Sequence, residues 1–201
     1  MRRNNRFGYT LIELLIVVGI LGLAGAILVP MLGNRGDFDT QAAVRRLIAD
    51  LSFAQSDALA NQEHRRLIFI ENPDVEGQYT GWCVVKLKES EVAQAFNPDT
   101  AVYVQDPLAA IADAGNYIVN LATDGRFGDT FVATVDLDSG QTFVTFDEFG
   151  GTVTSSGQPG SGGEIIVRGG STVYRVTLDG VTGKITVADI TNEAGEVIIG
   201  G

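Results

Sequence analysis

A single carboxylate, Glu13, lies within an otherwise uncharged apolar segment near the amino terminus. The segment from Tyr9 to Val29 has 21 residues, which as a helix at about 1.5 Å per residue reach roughly 30 Å, the thickness of a bilayer's hydrocarbon core. A carboxylate inside a spanning helix costs on the order of 2.5–3.5 kcal/mol, and such residues usually have a partner and a function. We therefore expect Glu13 to bind a cation or a proton.

The amino terminus itself is a candidate partner for this carboxylate. The segment contains no Lys, Arg or His, but cleavage after Gly8 would give Tyr9 a free α-amino group, whose ordinary pKa is about 7.7–8.0. Positions 9 and 13 are four apart and face the same side of a helix. The pair can close within one subunit or between neighbouring subunits, and in the second case Glu13 is an assembly residue.

The sequence around this carboxylate carries a family resemblance. Residues 8–15, GYTLIELL, resemble the processing signal of type IV pilins and type II secretion pseudopilins. The resemblance implies that a prepilin peptidase cuts after Gly8 and methylates the new amine of Tyr9, where Phe is usual. It also implies that Glu13 recruits and registers subunits in a filament, and that the helix bends at Pro30.

The same resemblance implies a location and a set of partners. Arg2, Arg3 and Arg6 precede the apolar segment and the next positive charge is Arg35, so the amino terminus should stay in the cytoplasm. We expect a single-pass inner-membrane protein with a periplasmic head that later enters a filament. Its expected partners are the prepilin peptidase, other pseudopilins or pilins, inner-membrane lipid and the inner-membrane assembly platform.

Two alternatives concern the same segment. Ala24-Gly25-Ala26 offers a signal peptidase site after an apolar run, and cleavage there would start the mature chain at Ile27. Gly19, Gly22 and Gly25 either form a stripe of small residues for helix packing or weaken the helix. Both interpretations of the glycines stay open at this stage.

Composition restricts the class of partner. The 201 residues have a formal charge of −11, which becomes −14 without Arg2, Arg3 and Arg6 and opposes binding to phosphate backbones. Nucleic acid is therefore an unlikely partner. The single cysteine, Cys83, cannot form an intramolecular disulfide and is predicted to be a buried thiol.

The chain divides into four predicted segments: a leader (1–8), a transmembrane and assembly helix (9–30), an amphipathic continuation of the spine (31–62) and a β-rich head (63–201). A helix is predicted from Asp39 to Asn61, capped by Asp39 or Thr40. Its apolar residues repeat at three and four; they are Val44, Leu47, Ile48, Leu51, Ala54, Ala58 and Leu59.

After Asn61 the apolar period changes to two, which predicts strands. The predicted strands are 66–70, 81–87, 131–137, 142–147, 164–168, 172–178 and 184–188. Hairpin turns are expected at Asp138-Ser139-Gly140 and Asp179-Gly180. Residues 89–128 are predicted to be an insertion, with a short helix at 108–114. The fold class is α+β and pilin-like: a long spine helix packed on an antiparallel β-sheet or a two-sheet head.

Several short motifs resemble the H-type minor pseudopilins in their order along the chain. They are Ala54-Gln55-Ser56-Asp57-Ala58, Gly81-Trp82, Phe146-Asp147 before Gly150, and Thr182-Gly183-Lys184. The family often has Ala-Arg-Ser-Glu-Ala on the helix, so Gln55 and Asp57 depart from it.

The head shows no pattern typical of an enzyme, so no catalytic, metal or cofactor site is expected. The single histidine, His64, is expected to solvate a helix terminus beside Arg65 and Arg66. Asp136, Asp138 and Asp147 occupy calcium-loop positions, but the glycine is misplaced and the last ligand is not Glu, which favours a hairpin turn. The segment 157–163 lacks the P-loop lysine and is predicted to be a flexible connection.

These observations predict a minor pseudopilin, a structural subunit of a type II secretion pseudopilus. The first alternative is a type IV minor pilin involved in pilus assembly or DNA uptake. The second is an anchored periplasmic enzyme, for which the sequence offers no convincing constellation.

Overall fold

The computed structural model describes residues 10–33, 35–107 and 115–192. The chain forms two compact units, Met1–Arg35 and Gly36–Gly201, which are described separately. The predicted leader, Tyr9 and the predicted short helix at 108–114 lie outside the described residues.

The first unit contains helix α1 (Leu11–Gly33). Leucine and the β-branched residues isoleucine and valine make up most of it, and Glu13 lies in its first turn. Pro30 lies inside α1, three residues before its end, so the bend expected at this proline stays a prediction.

Helix α2 (Arg35–Asn61) belongs to the second unit except for its first residue. Its end agrees with the prediction, but it begins four residues before Asp39, so neither Asp39 nor Thr40 caps it. Thr40 is buried within the helix, and its Oγ1 donates to the backbone oxygen of Gly36 at 2.7 Å.

The apolar face of α2 is confirmed with one exception. Val44, Leu47, Leu51, Ala54 and Ala58 are buried in the main core, and the partly buried Ile48 packs against it. Leu59 was expected on this face, but it is 46% exposed and its side chain lies beside Gly150.

The head is antiparallel throughout. The strands of the described residues are β1 (His64–Glu71), β2 (Tyr79–Leu87), β3 (Val102–Tyr103), β4 (Ile118–Asn120), β5 (Phe131–Leu137), β6 (Phe143–Phe146), β7 (Thr152–Val153), β8 (Gly162–Gly169), β9 (Thr172–Asp179) and β10 (Ile185–Asp189). All seven predicted strands are confirmed to within two residues at each end. The very short strands β3, β4 and β7 were not predicted.

These strands form one sheet in the order β10-β9-β8-β5-β2-β1-β6-β7, with β3 and β4 also paired to β2. Of the two predicted heads, the hydrogen bonding therefore favours a single sheet. Its halves join at β2 and β5, where Tyr79 is in register with Val132. One edge of β2 is divided among β5, β4 and β3 along its length.

Helix α2 packs on one face of the sheet. The main core joins its buried residues to side chains of β1, β2, β5, β8 and β9, among them Leu67, Trp82 and Ile165. On the opposite face, Ile68, Cys83 and Val85 form a second apolar cluster with Tyr103 and other partly buried residues. Each strand has two sides, so alternate residues of β1 and β2 enter different clusters.

The two predicted turns have different outcomes. Asp179-Gly180 begins the connection of a true hairpin, since Ile185 of β10 is in register with Leu178 of β9. Asp138-Ser139-Gly140 reverses the chain after β5, but β5 continues along β8 whereas β6 pairs with β1. A single bridge, Leu137 to Gln141, closes this turn.

Candidate functional site

Glu13 and Thr10 bind each other at the start of α1. The backbone N–H of Thr10 donates to Oε2 of Glu13 at 3.2 Å, and the hydroxyl of Thr10 donates to the same oxygen at 3.2 Å. The backbone N–H of Glu13 donates to Oγ1 of Thr10 at 3.3 Å. Because Thr10 immediately precedes the helix and Glu13 is its third residue, this is a capping box.

The capping box gives Glu13 a partner that sequence reasoning missed. Thr10-Leu11-Ile12-Glu13 fits the pattern of Ser or Thr followed three residues later by Glu, so the signal was present in the sequence. The positive end of the helix dipole also stabilises a carboxylate in the first turn. The predicted cleavage residues Gly8 and Tyr9 lie outside the described residues, so an ion pair between Glu13 and the Tyr9 amine stays a prediction.

The described surface of α1 is apolar on all sides. Leu11, Ile12, Leu15 and Val18 lie at different angles around the helix, and each exposes more than half of its surface. A helix that is apolar all round is normally buried, in other protein or in lipid. Among the described residues, no helix meets the length and apolarity required of a membrane span.

The three glycines of α1 leave open space beside the helix. A Cβ atom added at Gly19, Gly22 or Gly25 would meet no atom within 4 Å. Among the residues that the structure describes, then, no neighbouring group requires these positions to be small.

A second polar site, buried in the head, centres on Asp50 of α2. Its carboxylate accepts hydrogen bonds from Trp82 Nε1 at 2.7 Å, from the Tyr117 hydroxyl at 2.8 Å and from Arg46 Nε at 2.9 Å. Only 2% of Asp50 is exposed, although it is not among the apolar residues from which the buried face of α2 was predicted. Two features of the sequence could have indicated this burial. Asp50 is four residues from Arg46 on the same helix, and a buried tryptophan needs a hydrogen-bond acceptor.

Burial is the largest influence on the pKa of Asp50 and of Tyr117 in this cluster. Burial raises the pKa of Asp50, whereas the hydrogen bonds from Arg46, Trp82 and Tyr117 act in the lowering direction. Burial and the nearby carboxylate raise the pKa of Tyr117, which keeps its hydroxyl protonated as a donor. Through Asp50, the hydrogen bonds of Tyr117 and Trp82 link the insertion and β2 to α2. We therefore assign the cluster a structural role.

The scattered motifs of the head converge at the end of α2. The side-chain amide of Gln55 donates to the backbone oxygen of Gly150 at 2.7 Å and to that of Thr182 at 3.1 Å. Asp57 pairs with Arg65 at the start of β1. Three segments far apart in sequence are therefore connected through one turn of the helix.

The three calcium-loop candidates have separate partners. Oδ1 of Asp138 accepts the backbone N–H groups of Ser161 and Gly162 at 2.6 and 3.0 Å. Oδ1 of Asp147 accepts those of Phe149 and Gly151, both at 2.9 Å. Asp136 is in register with Glu164 of β8. In the ranges that the structure describes, no group of three or more His, Cys, Asp and Glu could hold a metal ion.

Asp138 also holds part of the glycine-rich segment 157–163 in place. Its two hydrogen bonds hold the chain where it enters β8, and Gly162 and Gly163 belong to that strand. The prediction of a flexible connection is therefore wrong for the second half of this segment, which is held by a buried carboxylate and by strand pairing.

The histidine and its neighbours differ from expectation. His64 is the first residue of β1 and is buried with Arg65 and Arg66, so it lies in a strand and not at the helix terminus where it was expected. Strand β1 already begins at His64, so all three residues are part of the strand and are buried there. Cys83 is confirmed as a buried free thiol, and burial raises its pKa to about 11.

The comparison with protein families finds a match at the amino terminus. Residues 3–29 match the prokaryotic N-terminal methylation motif, a type IV pilin-like prepilin signal. This motif indicates a type IV pilin-like protein that is processed as a prepilin, and it implies processing by a prepilin peptidase and assembly with other pilins. No curated protein and no solved structure matches the chain significantly.

Proposed function

We propose that this protein is a minor pseudopilin, a non-enzymatic structural subunit of the filament that drives type II protein secretion. The observation that carries the proposal is the position of Glu13. It is the only charged residue of α1, it lies in the first turn, and the matched methylation motif contains it. A residue of this kind in an apolar helix requires a partner.

In the proposed mechanism the prepilin peptidase cuts after Gly8, and the amine of Tyr9 becomes available to a carboxylate. The membrane holds the apolar α1 of the free subunit before assembly, and the helices of neighbouring subunits replace lipid in the filament. The Glu13 carboxylate then forms an ion pair with the Tyr9 amine of an adjacent subunit. This contact sets the axial position at which the subunits pack. The head selects partners and lies in the periplasm.

The architecture of the head supports this proposal. Helix α2 buries one face against the sheet, so helix and sheet form one packed core within the head. The Asp50 cluster and the contacts of Gln55 link that helix to four different segments, at Trp82, Tyr117, Gly150 and Thr182. A subunit that carries load in a filament needs a head that holds together in this way.

The methylation motif is shared by type IV pilins, which makes a minor pilin for pilus assembly or DNA uptake the alternative. The acidic chain, with a formal charge of −11, disfavours a DNA-binding role, since affinity for DNA depends on neutralising phosphates with Lys and Arg. Binding of DNA by the purified full-length chain at moderate salt would favour the uptake role over the secretion role.

Two Glu13 variants test the assembly mechanism. Glu13→Gln preserves an acceptor for the Thr10 backbone but removes the charge, whereas Glu13→Ala removes both. We expect both variants to be processed and both to fail in filament incorporation, measured by cross-linking in cells with the native assembly system. Val17→Ala, one helical turn further on, is the matched control and should assemble normally.

Two results would contradict the proposal. Normal assembly of Glu13→Gln would show that the cap, and not the charge, is the required feature. Intact mass of the purified protein gives the second readout: the expected chain begins at methylated Tyr9, and a chain that begins at Ile27 or retains Met1 would exclude prepilin processing.

A further inference from the structure

A cavity of about 250 Å³ opens on the face of the sheet opposite α2. It lies between the end of β2 and the segment that follows this strand, and we call it the Arg66 cavity. Its lining includes Arg66, Ile68, Val85, Phe96, Ala101 and Val102. By the volume of liquid water, about 30 Å³ per molecule, it has room for roughly eight waters.

Arg66 reaches this cavity from β1 while remaining 98% buried, since only 2% of the residue is exposed. Its Nε donates to Thr145 Oγ1 at 2.8 Å, and its two terminal nitrogens donate to the backbone oxygens of Gln94 and Val92 at 3.1 and 2.5 Å. The guanidinium lies 4.3 Å from the centre of the Phe143 ring. These contacts use three of its five N–H donors.

The acceptors of Arg66 are neutral. Within the parts of the chain that the structure describes, no carboxylate forms an ion pair with Arg66. The adjacent Arg65 is equally buried, yet it pairs with Asp57 and Glu63. Burial lowers the pKa of Arg66 to about 10, so it is still protonated at neutral pH and is a buried cation without a buried anion.

The wall of the cavity is mixed, with an apolar part beside its charged and polar side chains. Ile68, Val85 and Ala101 belong to the apolar cluster on this face. Phe96 and Val102 also line the cavity and are 37% and 62% exposed, so the cavity reaches solvent. A ligand with a hydrocarbon part could therefore enter and bury it there.

We propose that the Arg66 cavity binds a small organic carboxylate. The two unused N–H donors of Arg66 receive the carboxylate, for which a guanidinium is geometrically suited, and the hydrocarbon part packs against Ile68, Val85 and Ala101. The charged side chains that line the cavity are Arg66, Lys86 and Glu91. Their sum of one positive charge matches a monoanion better than a doubly charged phosphate.

The ligand test uses the full-length chain in micelles of a nonionic detergent, with hexanoate as the probe. Hexanamide, which has the same hydrocarbon part and no charge, is the matched control, and formate and inorganic phosphate test for a site that takes any anion. We expect calorimetry to show hexanoate binding at least about tenfold more tightly than hexanamide, because charge-assisted hydrogen bonds are the stronger class. Equal affinity for hexanamide, or for phosphate, would overturn the proposal.

Two variants locate the bound probe. Ala101→Leu fills the cavity without changing Arg66 and should abolish hexanoate binding, with the fold checked by the fluorescence of Trp82. Arg66→Gln removes the charge and should reduce affinity to that for hexanamide. Retained binding in a folded Ala101→Leu variant would overturn the proposal even where Arg66→Gln fails to fold. Filament incorporation is a separate readout, so the outcome does not depend on the proposed function.

Discussion

The backbone N–H of Thr10 donates to the carboxylate of Glu13, and the backbone N–H of Glu13 donates to the hydroxyl of Thr10. The carboxylate thus satisfies a donor at the start of α1 in the chain before cleavage. In the proposed mechanism, cleavage creates an amine next to Thr10 that competes for the same carboxylate. The capping box and the assembly contact would then be successive uses of one side chain.

The capping box predicts different effects for two substitutions of Thr10. Thr10→Val removes the hydroxyl that accepts the Glu13 N–H, whereas Thr10→Ser retains it. Since loss of a helix cap costs about 0.5–2 kcal/mol, exchange of the Glu13 amide should become roughly 2- to 30-fold faster in Thr10→Val. Hydrogen exchange of the unprocessed chain in micelles measures this rate, and equal exchange in the two variants would contradict the assigned cap.

The Asp50 cluster predicts a large loss of stability when its acceptor is removed. Asp50→Ala leaves the Trp82 N–H, the Tyr117 hydroxyl and Arg46 without their shared carboxylate. Breaking a buried charge pair typically costs about 3–5 kcal/mol. Chemical unfolding monitored by Trp82 fluorescence gives the free energy, with a shift of the emission maximum expected as the indole loses its acceptor.

The matched control for this substitution is Asp74→Ala. Asp74 is exposed in the connection between β1 and β2, and a surface substitution of this kind should change the free energy of unfolding by less than about 0.5 kcal/mol. If the two variants were destabilised equally, the buried cluster would not be the source of the effect.

The sequence allowed the main elements to be predicted because their periodicities are local. The end of α2 at Asn61 was predicted correctly because the apolar period changes there from three and four to two. The whole of β5 was predicted correctly because alternation of apolar and polar residues indicates both a strand and its two faces. The methylation motif likewise lies in one continuous segment. These features require no knowledge of which segments meet in space.

The errors fall where a distant segment decides the outcome. The burial of Asp50 was not predicted, because its partners Trp82 and Tyr117 are 32 and 67 residues away. The pairing of β6 with β1 instead of β5 also depends on register between distant strands. Nothing in the sequence indicated that Arg66 is buried, because the sequence pattern does not distinguish a buried arginine from an exposed one.

Two glycines with the same backbone angle predict different costs of adding a methyl group. Gly157 and Gly162 have φ of 75° and 74°. A Cβ at Gly157 would meet nothing within 4 Å, whereas one at Gly162 would lie 2.1 Å from the backbone oxygen of Leu178. Gly157→Ala should therefore cost only the left-handed backbone conformation, about 1–2 kcal/mol.

Gly162→Ala should cost about 1–3 kcal/mol more, because the backbone of β9 must move to accept the added group. The difference between the two variants in free energy of unfolding isolates the steric part from the conformational part. Equal destabilisation would show that β9 lies farther from β8 at this position than the structure indicates.

Cys83 predicts a strong dependence of thiol reactivity on the folded state. Burial raises its pKa from 9.0 to about 11, so at pH 8 the folded chain should hold about 100-fold less thiolate than an exposed cysteine, and thiolate is the reactive form. Labelling with a disulfide reagent should therefore be slower by at least this factor until the head unfolds. The folded state also holds this proton more tightly than the unfolded state, so the contribution of Cys83 to stability is lost as the pH rises from about 9 to about 11.

An exposed thiol at another position provides the comparison. Ser90→Cys in a Cys83→Ala background places a single cysteine on the exposed turn after β2, and its labelling should be fast and nearly independent of denaturant. Because Cys83 lies between Ile68 and Val85 in the cluster opposite α2, its labelling rate reports the opening of that face specifically. Rapid labelling of Cys83 in the native chain would show that this face opens readily, and the same variants labelled in the presence of hexanoate would show whether a filled Arg66 cavity keeps it closed.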